Sequence, residues 1–159
     1  MTEKEFKAKL DQAEKDPQLL AASVAGLSEK VLHFKPAPGK WCIHEILGHM
    51  ADIEVVYSYR MRQMIADRNP VIAPVDQDDW ARNLGYLETP PAELVAQYGL
   101  MRRSNVRLLR RLKVEDLRRG AFHPELNRTT TLEEWMERMV AHGPNHRGQI
   151  EKLKQMGTK

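Results

Sequence analysis

One segment of this sequence, residues 42–67, constrains the fold most strongly because it repeats apolar residues at helical spacing over its whole length. Side chains three and four positions apart lie on the same face of an α-helix, so the segment predicts one long helix with a buried stripe. The stripe consists of Ile43, Ile46, Leu47, Met50, Ile53, Tyr57, Met61, Met64 and Ile65. No stretch shows the sustained alternation of apolar and polar residues that is typical of a β-hairpin. The sequence therefore predicts an all-α protein.

Three further long helices are indicated by capping residues and prolines. Thr2, Thr89 and Thr131 stand at N-cap positions, and Thr131 opens a capping box with Glu134. The first helix is expected to pause at Asp16-Pro17, where the aspartate caps a continuation and the proline occupies its first turn. The predicted long helices span residues 2–25, 42–67, 89–113 and 131–156, with a short helical piece at 78–84.

Helices of these lengths suit a four-helix bundle with a long crossover connection between the second and third helices. The chain of 159 residues, 42% hydrophobic and 30% charged, is expected to form a single soluble domain over residues 1–159. Its longest nearly apolar run, residues 19–27, is too short to span a bilayer, so no membrane partner is expected. The single cysteine, Cys42, cannot form an internal disulfide, which agrees with a cytoplasmic location.

The formal net charge of +3 suggests a binding surface for an acidic partner only between residues 102 and 119, where basic residues concentrate. They are Arg102, Arg103, Arg107, Arg110, Arg111, Lys113, Arg118 and Arg119. Such a stripe could neutralise nucleic-acid phosphates. However, its arginines lie mostly opposite the apolar face of the predicted helix, and no aromatic residues interleave with them as a single-strand platform requires. We interpret the stripe as a solvated helix face and expect no nucleic-acid partner.

Two histidines, His142 and His146, lie four positions apart in the last predicted helix, so that both rings can bind one metal ion. They share the buried stripe of that helix with Trp135, Met139, Ile150 and Leu153. Buried imidazoles need a partner for each nitrogen, which either a metal or hydrogen bonds within the core would supply. Pro144, between them, is expected to bend the helix, with Gly143 easing the distortion. No glutamate follows His142, so the pair is not a zincin motif and does not indicate a metalloprotease.

A third ligand would have to come from another helix. The candidates are His33, His44, His49 and His123. His44 points away from the apolar stripe of its helix, whereas His49 lies on the flank of that stripe and is favoured. Glu45 and Asp52, four positions before and three after His49, could orient its ring through a hydrogen bond, although a plain surface role is the simpler reading for both.

Several runs of the sequence resemble the motifs of the DinB/YfiT-like superfamily. They are residues 36–45, 48–54, 122–126, 131–135 and 142–150, which cover nearly the whole chain in order. The resemblance implies a four-helix bundle in which three histidines, here His49, His142 and His146, hold a divalent metal. Three protein ligands leave a coordination position for water or substrate.

The sequence departs from the family pattern at two places. Gly143 and Pro144 stand where many relatives have an aspartate and an aliphatic residue, and this puts an acidic partner of the ligands in doubt. Cys42 replaces a common serine. A cysteine at a helix start can act as a nucleophile, but beside Trp41 a buried packing role is the simpler interpretation.

Two chemistries suit an open site with three histidines: activation of a thiol that attacks an electrophile, and activation of water for hydrolysis. Because characterised members of the family include thiol-dependent S-transferases, the resemblance favours a thiol S-transferase acting on a small molecule. Its cofactor would be a divalent transition metal, with zinc and nickel as first candidates, and its co-substrate a low-molecular-weight thiol. The alternatives are a metal-dependent hydrolase and a non-catalytic, metal-stabilised, stress-related binding module.

The supporting residues are less specific, and no catalytic residue is assigned. Asn145 and Gln149 flank the histidine pair and could orient water or substrate. Arg60, three turns after His49 on the same helix face, could bind an anionic group of a thiol. Val71 and Ile72 are apolar residues of the crossover that we expect to be exposed. They would be available for contacts in a homodimer, although the sequence does not itself indicate one.

Overall fold

Residues 1–158, which the computed structural model describes, form six α-helices and two short strands. In chain order they are α1 (Glu3–Val24), α2 (Glu29–Leu32), α3 (Ile43–Ala66), α4 (Gln77–Asn83), α5 (Pro91–Leu109), β1 (Gly120–His123), β2 (Arg128–Thr131) and α6 (Leu132–Gly157). Single turns of 3₁₀ helix at Tyr86–Glu88 and Val114–Arg118 precede α5 and β1.

The four long helices α1, α3, α5 and α6 form a bundle. Both α1 and α3 pack against α5 and α6, and the long connection that holds α4 joins α3 to α5. The prediction of a helical bundle with a crossover connection is confirmed. The apolar core has two parts, and along α6 the histidine pair falls between Met139 of one part and Ile150 of the other.

Thr2 and Thr131 are the N-caps of α1 and α6 as predicted, whereas the N-cap of α5 is Pro90 rather than Thr89. Helix α3 starts and ends one residue inside the predicted span, whereas α5 begins at Pro91 and ends at Leu109, four residues before the predicted end. At the start of α6 the Thr131 hydroxyl accepts a hydrogen bond from the Glu134 amide. The reciprocal half of the capping box is absent, because the Glu134 carboxylate pairs with Arg128 at 2.8 Å.

The predicted pause of the first helix is wrong, since α1 continues through Pro17. A proline removes the hydrogen bond from its own amide, here to the Ala13 carbonyl, and its ring crowds that carbonyl, but packing of α1 on two neighbouring helices maintains the helix. Asp16 is therefore not a helix cap. It is buried and accepts hydrogen bonds from Tyr98 and Arg147.

The expectation that no hairpin is present is also wrong. β1 and β2 pair antiparallel, with Gly120 opposite Thr131, and Asn127 in the turn has a φ of 48°. Phe122 of β1 further exchanges backbone hydrogen bonds with the crossover, at Pro70 and Ile72. Each strand has only four residues and β2 is mostly threonine, so the alternation that predicts a hairpin has no length over which to appear.

Two further expectations about exposure need correction. Val71 is exposed as expected, but Ile72 is fully buried beside the hairpin. In the basic stripe, Arg103 and Arg107 face solvent, whereas Arg102 is fully buried and paired with Glu54. Within residues 1–158, no helix combines the length and the apolar character needed to cross a membrane.

Candidate metal centre

Three histidine side chains from two helices meet in the middle of the bundle. His49 comes from α3, and His142 and His146 come from successive turns of α6, which packs beside α3. The Nε2 atom of His142 lies 3.1 Å from the Nε2 atom of His49 and 3.1 Å from that of His146. The structure thus brings together the three residues named from the sequence.

The geometry of the cluster fits a transition-metal ion. With metal–nitrogen bonds of 2.0–2.1 Å, two ligands of a tetrahedral site lie about 3.3 Å apart, close to the distances seen here. One nitrogen from each ring faces the common centre, and these ligand atoms all lie within 4.8 Å of one another. The Nδ1 atoms of His49 and His142 are buried and have no hydrogen-bond partner among the described residues. Hydrogen bonds within the core therefore do not satisfy these rings.

All three rings are held neutral, which is the form that binds a metal. Burial, together with the neighbouring imidazole of His146, lowers the pKa of His49 to about 3 and that of His142 to about 2. Burial also lowers the pKa of His146. At neutral pH the nitrogen lone pairs of the cluster are not lost to protonation.

One ring of the cluster is oriented by a polar neighbour. The Nδ1 atom of His146 lies 3.0 Å from Oε1 of Gln149. An amide oxygen can only accept a hydrogen bond, so Nδ1 carries the proton and Nε2 keeps its lone pair for the cluster. Asn145, the other flanking residue named from the sequence, is exposed.

The two carboxylates predicted to orient His49 do not do so. Glu45 accepts hydrogen bonds from the Cys42 amide and from Lys35 at the start of α3. Asp52 is half-buried, which raises its pKa, and the Nδ1 atom of His49 has no hydrogen-bond partner. Instead, the Trp41 ring packs against the His49 ring, with centroids 4.7 Å apart.

The remaining histidine candidates lie elsewhere. His44 is buried rather than turned to solvent: its Nε2 atom is 2.8 Å from the Thr89 carbonyl oxygen, and its Nδ1 atom is 3.0 Å from Nε2 of His33. His123, on β1, stacks parallel to Trp135 with ring centroids 6.0 Å apart. Cys42 is fully buried, and burial raises the pKa of its thiol, which argues against a nucleophilic role.

A carboxylate occupies the space left open at Gly143. A Cβ atom at this position would overlap the Asp16 carboxylate and would lie 2.7 Å from the Tyr98 hydroxyl oxygen. Asp16 also pairs with Arg147 at 2.7 Å, so α1, α5 and α6 are joined next to His142. The α-helix continues through Pro144. The glycine that departs from the family pattern therefore has a packing reason.

A cleft of about 260 Å³ opens beside the histidine cluster and includes two of its members. Its lining residues are His49, Ile53, Val56, Tyr57, Arg60, Val75, Gln77, His123, Glu125, Trp135, Arg138 and His142. A larger cleft of about 550 Å³, lined in part by Trp41 and Tyr86, contains none of the three histidines. The smaller cleft is therefore the one through which a substrate would reach the cluster.

Sequence reasoning identified Arg60 but missed several other lining residues. Tyr57 and Trp135 were placed on apolar stripes as core residues, and the structure shows that they are both core and cleft wall. Arg138 stands one turn before His142 on α6, a spacing that could have indicated it. Glu125 and His123 are positioned by the hairpin, which the sequence did not reveal.

Comparison with known proteins gives a consistent picture. The sequence profile of the DinB superfamily matches residues 12–150. YfiT of Bacillus subtilis is 26% identical over 140 residues, covering 88% of this chain and 79% of that protein. A protein of Oceanobacillus iheyensis is 29% identical over 117 residues, covering 73% of this chain and 67% of its own length. Both relatives are named putative metal-dependent hydrolases.

The fold has a counterpart among solved structures. The structure of YfiT from Bacillus subtilis, described as having an unusual four-helix bundle topology, matches with a TM-score of 0.91 at 22% identity. The match covers 98% of this chain and 89% of that chain. At this identity the likeness shows that the two proteins share their fold.

Proposed function

The chain belongs to the DinB superfamily, and we propose that it is a metal-dependent hydrolase whose ion is held by His49, His142 and His146. One observation carries the proposal: three neutral imidazoles present nitrogen atoms to one point beside an open cleft. The names of the relatives support the hydrolytic reaction class. When bound there, a divalent ion such as zinc or nickel would act as a Lewis acid and make water or a thiol nucleophilic at neutral pH.

Other residues of the cleft have roles that follow from their protonation. Burial raises the pKa of Tyr57 to about 12, so its hydroxyl stays protonated and can donate a hydrogen bond to a substrate oxygen. The exposed side chain of Glu125 lines the same cleft and is positioned to act as a general base. Gln149 keeps His146 in the tautomer that faces the cluster.

Thiol-dependent S-transfer is the second candidate, and the composition of the cleft favours it. Glu125 is the one carboxylate among the described residues that line the cleft, and Ile53 and Val56 make part of its wall apolar. Hydrolysis benefits from a general base, whereas a thiol bound to a metal loses its proton without one. A cleft with few bases and an apolar wall therefore also suits a thiol.

Parallel assays on one preparation separate the two reactions. Protein loaded with zinc, and separately with nickel, is incubated with 4-nitrophenyl acetate, and with 1-chloro-2,4-dinitrobenzene plus cysteine as the thiol. Metal-dependent release of 4-nitrophenolate supports the hydrolase, and metal-dependent conjugation without ester hydrolysis supports the transferase instead.

The controls identify the site as the source of activity. His142→Ala should reduce the rate to that of the free metal ion in buffer. His33→Ala, which removes an exposed histidine outside the cluster, should keep the wild-type rate. Equal rates in the two variants, or no metal-dependent rate with either probe, would overturn the proposal.

A further inference from the structure

A buried arginine in the cleft lacks an anionic partner. Arg60 is 7% exposed, yet its guanidinium forms no ion pair with any described carboxylate. Its hydrogen bond goes to the Ala73 carbonyl oxygen, and its charged group lies 4.4 Å from the centroid of the Trp135 ring. Most of its five N–H donors therefore remain available to another group.

The same protein shows how a buried arginine is normally satisfied. Arg102, fully buried, donates two hydrogen bonds to the Glu54 carboxylate at 2.9 and 2.7 Å. Buried charges are usually paired in this way, because an isolated ion in the interior is costly. Burial and the nearby charge of Arg138 lower the pKa of Arg60, while Tyr57 and the Glu125 carboxylate act in the opposite direction without reversing the shift. Arg60 is therefore placed where an anion would stabilise it.

A second cation and a buried imidazole line the same cleft. The Arg138 guanidinium lies 5.1 Å from the Trp135 centroid, and among the described residues it has no ion-pair partner. His123 is 6% exposed, and its Nδ1 atom has no hydrogen-bond partner. Glu125 is the charge of opposite sign in the cleft, and it forms an ion pair with neither arginine. With neutral imidazoles, the lining keeps one net positive charge.

We infer that Arg60 and Arg138 form a binding site for an oxyanion, so that the substrate carries a carboxylate or phosphate group next to the bond that reacts. A guanidinium matches the oxygens of either group, which is the chemistry that the two ligands share. At about 260 Å³ the cleft is smaller than the roughly 300–1,000 Å³ typical of sites for drug-sized ligands. It suits a small metabolite. The assignment of this anion to a substrate rests on the proposed function, since the same cleft includes His49 and His142.

An NMR titration tests the site without metal or turnover. Metal-free, ¹⁵N-labelled protein is titrated with succinate and, separately, with inorganic phosphate, while the arginine Nε–H signals are followed. Signals of Arg60 and Arg138, assigned from the variants, should shift with saturation for at least one anion. The anion that binds more tightly identifies the group as carboxylate or phosphate.

The variants make the titration specific. Arg138→Gln, an exposed substitution that leaves Arg60 in place, should weaken binding about tenfold, as expected for loss of a charge-assisted hydrogen bond. Arg60→Lys keeps the charge but loses the planar fork, so it should weaken binding as well. Arg107→Gln removes an equal charge from the solvated face of α5 and should bind like wild type. Equal affinity of wild type and Arg138→Gln, or no saturable shift, would overturn the inference.

A pair of esters separates this inference from the proposed function. 4-Acetoxybenzoate carries a carboxylate that phenyl acetate lacks and that cannot reach its own ester group, so the ratio of their kcat/KM values should exceed one and fall in Arg138→Gln. Metal-dependent hydrolysis with an unchanged ratio would contradict the anion site but not the hydrolase. Saturable anion binding without hydrolysis of either ester would contradict the hydrolase but not the anion site.

Discussion

A single amide side chain determines which nitrogen of His146 faces the metal cluster. Gln149 follows His146 by three residues on α6, and its Oε1 atom accepts a hydrogen bond from the Nδ1–H group of His146. The Nδ1 atoms of His49 and His142 have no such partner among the described residues. One ring of the three is thus oriented from outside the cluster, while the others are held by packing against neighbouring rings.

Substitution of this amide should weaken metal binding. In Gln149→Leu the tautomer and orientation of His146 are no longer fixed, so the zinc dissociation constant should rise by about 10- to 100-fold. Competition with a chromophoric chelator measures the change. Gln155→Leu, which replaces an exposed glutamine of the same helix, is the matched control. Equal affinities in the two variants would mean that Gln149 does not support the site.

The orienting residues could be predicted only in part, for a physical reason. Helical spacing identified Gln149 as well as Glu45 and Asp52 as neighbours of the histidines, because it gives the positions that share a face. It does not indicate which of several partners a side chain takes. Glu45 caps its own helix and pairs with Lys35, so its carboxylate is already satisfied.

At the scale of elements, helix α6 packs closely against α1 next to the histidine pair. Gly143 leaves room for the buried Asp16 carboxylate, which Tyr98 of α5 and Arg147 of α6 both contact. This close approach holds three helices together beside His142. The glycine is needed for the space it leaves, since its backbone is helical.

Two alanine substitutions on this helix should have opposite effects. In Gly143→Ala the new methyl group overlaps Asp16, so the free energy of unfolding should fall by about 2 kcal/mol or more. In Gly148→Ala the methyl group meets no atom within 4 Å, and the better helix propensity of alanine should raise it by about 0.5–1 kcal/mol. Urea unfolding of both variants measures the difference. A stable Gly143→Ala protein would show that this contact tolerates a side chain.

Elements with long periodic patterns were predictable, and short or buried polar ones were not. The bounds of α3 are predicted to within one residue, because its stripe and its cap agree. The sequence does not predict the hairpin, because backbone pairing rather than an apolar face defines it. Phe122 lies opposite Thr129 of the other strand and forms backbone hydrogen bonds with the crossover. Local rules predict a break at Pro17 because they do not include the packing that maintains α1 through this residue.

At the scale of the molecule, the bundle contains buried polar contacts between its helices as well as apolar packing. Glu54 of α3 accepts hydrogen bonds from Arg102 and Asn105 of α5, and all three side chains are fully buried. Such a pair contributes little net stability compared with well-packed apolar residues, but its geometry can fix how two helices align. This pair could not be predicted from the sequence, because Arg102 stands within a basic run whose other arginines mostly face solvent.

Removing one partner of the buried Arg102–Glu54 pair should lower the free energy of unfolding far more than removing both partners. Arg102→Met leaves the Glu54 carboxylate buried and unpaired, which should lower the free energy of unfolding by about 3–5 kcal/mol. The double variant Glu54→Leu/Arg102→Met removes the unpaired charge and should recover most of that loss. Urea unfolding of both proteins, with circular dichroism of the native states, measures this. A double variant no more stable than Arg102→Met would contradict the argument.

The central claim, that His49, His142 and His146 bind one metal ion, is tested most directly by metal content. Four proteins are purified without an affinity tag: wild type, His49→Ala, His142→Ala and the control His33→Ala. Each is incubated with zinc or nickel and desalted, and its metal content is measured by inductively coupled plasma mass spectrometry. Wild type and His33→Ala should each hold about one equivalent, and the two cluster variants almost none. A wild-type protein that stays empty, or cluster variants that keep their metal, would contradict the claim.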